Sequence, residues 1–162
     1  MLDSMPIVTL LTLATLIGVI AGLRTMMAPA AVSWAAALGW LDLSGTWLAF
    51  LGYTWTPWIL TALAAGELVT DQLPSTPSRT VPAQFGARLV SGALAGAAFG
   101  AAADMLLVGA MAGAIGAVIG TLGGHALRAR LAAAFRKDRP AALIEDAIAI
   151  AGAFLIVSAA RA

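Results

Sequence analysis

The chain has 162 residues, of which 61% are hydrophobic and only 10% charged, with 9 Lys or Arg against 8 Asp or Glu. A soluble domain carries about 25% charged residues, so this composition is too poor in charge to cover a globule in water, and the length allows a single domain, 1–162. A net charge of +1 with no basic patch interleaved with aromatics excludes nucleic acid as a partner, and zero cysteines exclude disulfides, thiolate metal sites and cysteine nucleophiles.

Taken in chain order, the sequence predicts an all-α polytopic membrane protein. Met1-Leu2-Asp3-Ser4 lacks the basic n-region and small-residue cleavage site of a secretory signal, so the first apolar run is read as a retained span. With ~20 apolar residues needed per crossing, five spans are expected, at about 6–23, 57–73, 84–103, 106–126 and 141–160. The second opens on Pro57 and is followed by Pro74, a matched start and stop. Between the first two spans, 29–40 reads as a short helix, re-entrant or interfacial. Residues 41–56 hold Asp42, Gly45, Trp47, Phe50, Tyr53 and Trp55, a mixture that suits the membrane–water interface. A sixth crossing over 28–52 is the alternative, with Gly39, Asp42 and Gly45 interrupting it.

Arg128, Arg130, Arg136, Lys137 and Arg139 form the strongest cationic cluster. The positive-inside rule makes that loop cytoplasmic. Counting back over five spans puts the N-terminus inside, the C-terminus outside, and Arg24 with the 25–56 region on the outer side.

Glycines 92, 96 and 100 recur every four residues, as do 109 and 113, and then 116, 120 and 124. Each series lays a smooth stripe on one helix face. In water every such glycine costs ~1 kcal/mol against alanine, whereas in lipid it lets two backbones touch. The third and fourth spans are therefore expected to pack through Gly92, Gly96, Gly100, Gly113, Gly116, Gly120 and Gly124. Ile17-Gly18 with Gly22 echoes Ile115-Gly116 with Gly120, and each is followed by an alanine-rich stretch and a span holding an acid. If these are two copies, the intervening span inverts one against the other, as in many transporters. A chance match between Ala/Gly-rich spans is the other explanation.

Few residues offer chemistry. Glu67 and Asp71 share a helix face at i and i+4, and Glu145 with Asp146 lies near the start of the last span. Acids embedded in a span normally face the bundle interior, paired or lining water. Carboxylates converging in low dielectric also favour uptake of a proton or cation. These four are the ion- or substrate-binding candidates, with Glu67 the deepest. The bland reading has them solvated, capping a helix start, or paired with Arg79 and Arg88. Arg24 and Thr25, just ahead of Pro29 and a helix start, could receive an anion or lipid headgroup, or Arg24 could simply snorkel to the interface. Ser78 and Arg79, in a proline-stiffened loop, are similar candidates. His125, the one histidine, is a weak metal candidate with Glu67, Asp71 and Glu145. No cofactor is expected. There is no phosphate loop, nucleophile elbow or zinc-protease motif, so the chain is not read as an enzyme.

Three motifs, Gly22-Leu23-Arg24-Thr25-Met26 before Ala28-Pro29, Glu67-Leu68-Val69-Thr70-Asp71-Gln72-Leu73-Pro74 leading into Pro77-Ser78-Arg79, and Leu143-Ile144-Glu145-Asp146-Ala147, resemble those of a widespread family of small bacterial polytopic membrane proteins known only as a domain of unknown function. The resemblance spans about residues 15–155 and implies a multi-pass membrane protein, with no activity attached. The leading expectation is a small transporter or channel for an ion or small metabolite, dimeric, with its carboxylate site near the dimer interface. The rival is a non-transporting module, an assembly subunit or lipid-binding protein. A membrane enzyme acting on lipid ranks third. A water-filled route to Glu67 would favour transport, and Glu67 paired with arginine in solid packing would favour the module.

Overall fold

The computed structural model describes residues 6–71 and 80–161. Its elements are α1 (Ile7–Leu23), α2 (Met27–Ala37), a 3-10 helix (Trp47–Gly52), α3 (Thr56–Thr70), α4 (Pro82–Ala101), α5 (Leu106–Phe135) and α6 (Asp138–Ala159), with no strand among the described residues. Pro57 and Pro82 sit in the first turns of α3 and α4, where a missing N–H leaves nothing unsatisfied. The α4–α5 turn closes on Asp104, held in the left-handed region.

The structure is all-helical, but the expectation of five spans is not met by length and apolarity. Among the described residues, only α5 and α6 are long and apolar enough to cross a membrane. α1 has 17 residues and α3 has 15. α4 has 20, but Gln84, Arg88 and Ser91 among its many alanines and glycines dilute its hydropathy.

The glycine contacts fix how the helices run. A Cβ on Gly96 would land on the Gly109 carbonyl, and one on Gly100 would meet Met105, so α4 and α5 are antiparallel. A Cβ on Gly18 would land on Gly113, and one on Gly22 would lie 2.5 Å from the Ala117 carbonyl oxygen, so α1 runs parallel to α5. Gly113 is pressed from both sides, by Gly18 of α1 and by Gly92 and Gly96 of α4. Gly116 and Gly120 lie against Thr15, Gly18 and Val19 of α1, and Gly124 is buried too. The two IGxxxG segments therefore pack on one another in the same direction, and the inverted-repeat expectation fails. The alanine-rich stretch after the second segment also continues α5 instead of forming a separate helix.

The reason is α2. It turns the chain back after Arg24, so that Ser33 and Trp34 reach Leu51 and Thr61, and Trp40 lies beneath Arg161. Residues 25–56 thus traverse the bundle, as in the six-crossing alternative. Arg24, the end of α3, the start of α4 and the α5–α6 turn all come to one end. Residues 38–55, the α4–α5 turn and both described chain ends lie at the other. The expectation of termini on opposite sides of a membrane does not fit this parity.

Small residues fill much of the interior beside a set of buried aliphatics such as Ile17, Val32, Leu41, Leu48 and Leu51. The buried residues are dominated by alanine (Ala14, Ala21, Ala28, Ala95, Ala98, Ala149), while Leu107, Met111, Ile115, Ile119, Phe154 and Leu155 are exposed. In water such apolar ridges are liabilities.

The close approaches make a direct prediction. Gly96→Leu and Gly120→Leu force backbones apart and should each lower stability by at least ~1–3 kcal/mol. Gly123→Ala, with nothing within 4 Å of its Cβ, should be neutral or stabilising by up to ~1 kcal/mol. Thermal unfolding in detergent checks this, and equal melting of Gly96→Leu, Gly120→Leu and wild type would refute it.

Candidate functional site

Where α1 stops and α2 starts, the chain leaves helical geometry: Arg24 is extended, and no side chain of the segment itself caps α2. Backbone groups at such a break need partners. They come from distant helices. Arg88 of α4 donates through Nη1 to the carbonyls of Gly22 (3.0 Å) and Leu23 (2.8 Å). Glu67 of α3 accepts the backbone N–H groups of Thr25 (2.6 Å) and Met26 (2.7 Å), one on each oxygen. Ser91 Oγ donates to the Thr25 carbonyl.

Arg24 itself is fully buried. Its Nε donates to Asp146 Oδ1 at 2.7 Å, its Nη2 lies 2.5 Å from the same oxygen and 3.9 Å from Glu145, and its Nη1 pairs with Asp71. Arg88 Nη2 stands 3.8 Å from both Glu67 and Asp71. Arg128 of α5 is 3.6 Å from Glu145 and forms a two-pronged pair with Asp138 at 3.0 and 2.6 Å. Three arginines (Arg24, Arg88 and Arg128) and five carboxylates (Glu67, Asp71, Asp138, Glu145 and Asp146) thus join α1, α3, α4, α5 and α6 at one end of the bundle. The four carboxylates proposed from sequence do converge.

Several expectations need correction. Arg24 and Thr25 do not face outward toward a headgroup: both are buried, and Arg24 Nε and Nη1 and the Thr25 N–H donate to Asp146, Asp71 and Glu67. A helix start with an arginine does bind anions here, and the anions are the protein's own side chains. Glu145 and Asp146 do not cap α6, since that helix begins at Asp138, two turns earlier. His125 is exposed on α5, and among the described residues no group of three metal-ligating side chains forms, so the mixed site with Glu67, Asp71 and Glu145 is not built. Ser78 and Arg79 fall outside the described residues. Arg128 was legible in sequence only as part of a cytoplasmic cluster. Its placement seven residues before the α5 C-terminus, one turn past Gly124, is the signal that it could reach inward.

Two cavities lie away from the network. One, of about 450 Å³, is an apolar cleft between α2, α3 and α6, lined by Met27, Trp34, Trp40, Thr61, Leu68 and Phe154 among others. The second, of about 410 Å³, lies at the opposite end from the network and is lined by Asp42, Ser44, Thr46, Asp104 and Arg161, with Trp40 shared between both. Asp42 accepts both the N–H and the hydroxyl of Ser44, which hold its carboxyl below the usual aspartate range. No family model, curated protein or solved structure matches the chain.

Arg24→Gln should destabilise the fold by roughly 3–5 kcal/mol, because it strands Asp71 and Asp146 without their cation. Adding Asp146→Asn should recover part of that loss. Chemical denaturation of the single and double variants is the measurement, and strictly additive losses would show that the two groups are not coupled.

Proposed function

We propose that the chain is a polytopic protein of a bacterial inner membrane, acting as a non-transporting module that binds lipid or partner helices. The carrying observation is the condition of Glu67. Both of its oxygens accept backbone N–H groups and Arg88 stands beside it, which is the arrangement of a structural cap closing a helix break.

Membrane residence is supported by the two long apolar helices, by the exposed Leu107-to-Ile119 ridge of α5 and by buried glycine and alanine where a soluble core holds large residues. The motif resemblance to small bacterial polytopic proteins points the same way. α1, α3 and α4 run beside α5 and α6 and would cross with them, and α2 would make the sixth passage. Seven of the eight described Lys and Arg residues lie at the network end and Arg161 at the other, so the positive-inside rule puts the network end in the cytoplasm and both described chain ends outside. Partner helices, a second copy included, would meet the α5 ridge, because the glycine stripes are used up within one chain.

One observation favours a second reading, transport of an ion or small metabolite. The facing ends of α1 and α2 form a discontinuous pair directly on the charged network, the place where carriers build coupling sites.

Cysteine scanning on this cysteine-free chain tests the orientation. In intact cells an impermeant thiol reagent should label Ser44→Cys and Tyr53→Cys and leave Lys137→Cys unmodified until the cells are opened. Labelling of position 137 from outside would reverse the assignment.

Glu67→Gln separates the two functional readings. A structural cap should lose roughly 3 kcal/mol or more, since Arg88 and two N–H groups lose a charged partner, with no ion flux in wild-type vesicles to lose. A stably folded Glu67→Gln that abolishes a measurable wild-type proton or cation flux would replace the module with a transporter.

A further inference from the structure

The apolar cleft and the polar pocket share Trp40 as a common wall, and together they have the shape of an amphiphile site. The cleft follows α2 from Met27, beside the network, to Trp40 at the far end. Two of its polar groups are satisfied internally: Trp34 Nε1 donates to Thr61 Oγ1 at 2.9 Å, and Thr61 Oγ1 donates to the Pro57 carbonyl at 2.7 Å. The rest of the lining is apolar apart from the indole of Trp40 at the far end, so the cleft suits an apolar chain. Its size falls in the range of small-ligand sites, roughly 300–1,000 Å³.

Beyond Trp40 the chemistry reverses. Arg161 lies over the Trp40 ring with its guanidinium carbon 5.5 Å from the ring centroid, a cation–π contact at the junction of the two cavities. Across the same pocket stand two exposed carboxylates, Asp42 and Asp104. Asp104 donates its backbone N–H to the Ala101 carbonyl at 3.3 Å, its carboxylate makes no hydrogen bond or ion pair among the described residues, and its left-handed backbone holds it at the α4–α5 turn. The hydroxyls of Ser44 and Thr46 complete the wall. A cation next to the apolar cleft and anions farther round match a headgroup with phosphate near the chains and an ammonium beyond it.

We propose that this composite cavity binds a zwitterionic phospholipid bearing a primary ammonium, with one acyl chain in the α2–α3–α6 cleft, its phosphate on Arg161 and its ammonium between Asp42 and Asp104. The inference rests on the lipid-binding membrane reading above and names the class of lipid. A purely anionic lipid satisfies Arg161 and is repelled by the two aspartates, so headgroup charge separates the alternatives.

The test uses the full chain with Trp47→Phe and Trp55→Phe, which removes the two most exposed tryptophans, reconstituted in phosphatidylcholine vesicles. Phosphatidylethanolamine or phosphatidylglycerol brominated on an acyl chain is titrated in as a tryptophan quencher. Quenching by the ethanolamine lipid should saturate at low mole fraction, with an apparent affinity about tenfold above that of the glycerol lipid, a difference that corresponds to about 1.4 kcal/mol. Ala65→Phe, which puts a ring into the cleft from its exposed α3 face, should abolish the saturating phase at unchanged melting temperature. Asp104→Asn should bring the two lipids to equal affinity. Quenching that rises linearly for both lipids and ignores Ala65→Phe is boundary lipid and overturns the proposal, as does saturable binding with the glycerol lipid equal or preferred. Release of the protein from membranes by alkaline carbonate would instead overturn the membrane reading, an outcome the quenching results do not produce.

Discussion

The structure depends on one requirement, that the backbone between α1 and α2 be satisfied. Gly22, Leu23, Thr25 and Met26 present carbonyls and N–H groups that no helix ladder covers. In an apolar setting each unsatisfied group costs several kcal/mol. Arg88 takes the carbonyls and Glu67 takes the N–H groups. Once those two charges are committed, the remainder of the network follows from their own need for partners. Arg88 draws Asp71 close, Asp71 pairs with Arg24, and Arg24 pairs with Asp146, carrying the chain of charge to α6. The break is also what returns the chain through the bundle and sets the parity of every later helix.

Against that polar end, the rest of the molecule is held by proximity of backbones. Gly113 sits between two helices with no side chain on any of the three surfaces at the crossing. Packing of this kind derives from dispersion and close fit, and it fixes the separation and register of α1, α4 and α5 closely. Register in turn brings Arg24 and Arg88 to the same level. A shift of one turn along α1 would move Arg24 by 5.4 Å, beyond reach of Asp146. The glycine stripes and the ion network therefore act as one device, the first setting position and the second depending on it.

Much of this was legible in the sequence, and the parts that were not share a cause. The glycine stripes of α4 and α5 announced contact because periodicity of four is a local property. Glu67, Asp71, Glu145 and Asp146 stood out because carboxylates in apolar runs need company. Arg24 was misassigned because its side of the bundle depends on how many times the chain has crossed before and after it. That count turned on α2, whose 11 residues fall below the usual crossing length even though the helix, with the segment after it, covers the distance. The same miscount reversed the relation between the two IGxxxG segments. Partnership at i and i+4 is readable from spacing, whereas the pairing of Arg24 with Asp146, 122 residues apart, requires the topology first.

That separation has a consequence for biogenesis. Arg24 is made early, its first partner Asp71 comes 47 residues later, and Asp146 appears only when synthesis is nearly complete. Until α6 joins the bundle, Arg24, fully buried, lacks one of its two closest counterions, and the α1–α2 corner is held by α3 and α4 alone. The place where the first helix ends is completed only by the last one, so a chain stalled or cut before α6 leaves Arg24 short of Asp146. Such a chain carries its own mark of incompleteness, a buried guanidinium without the carboxylate that completes its pairing.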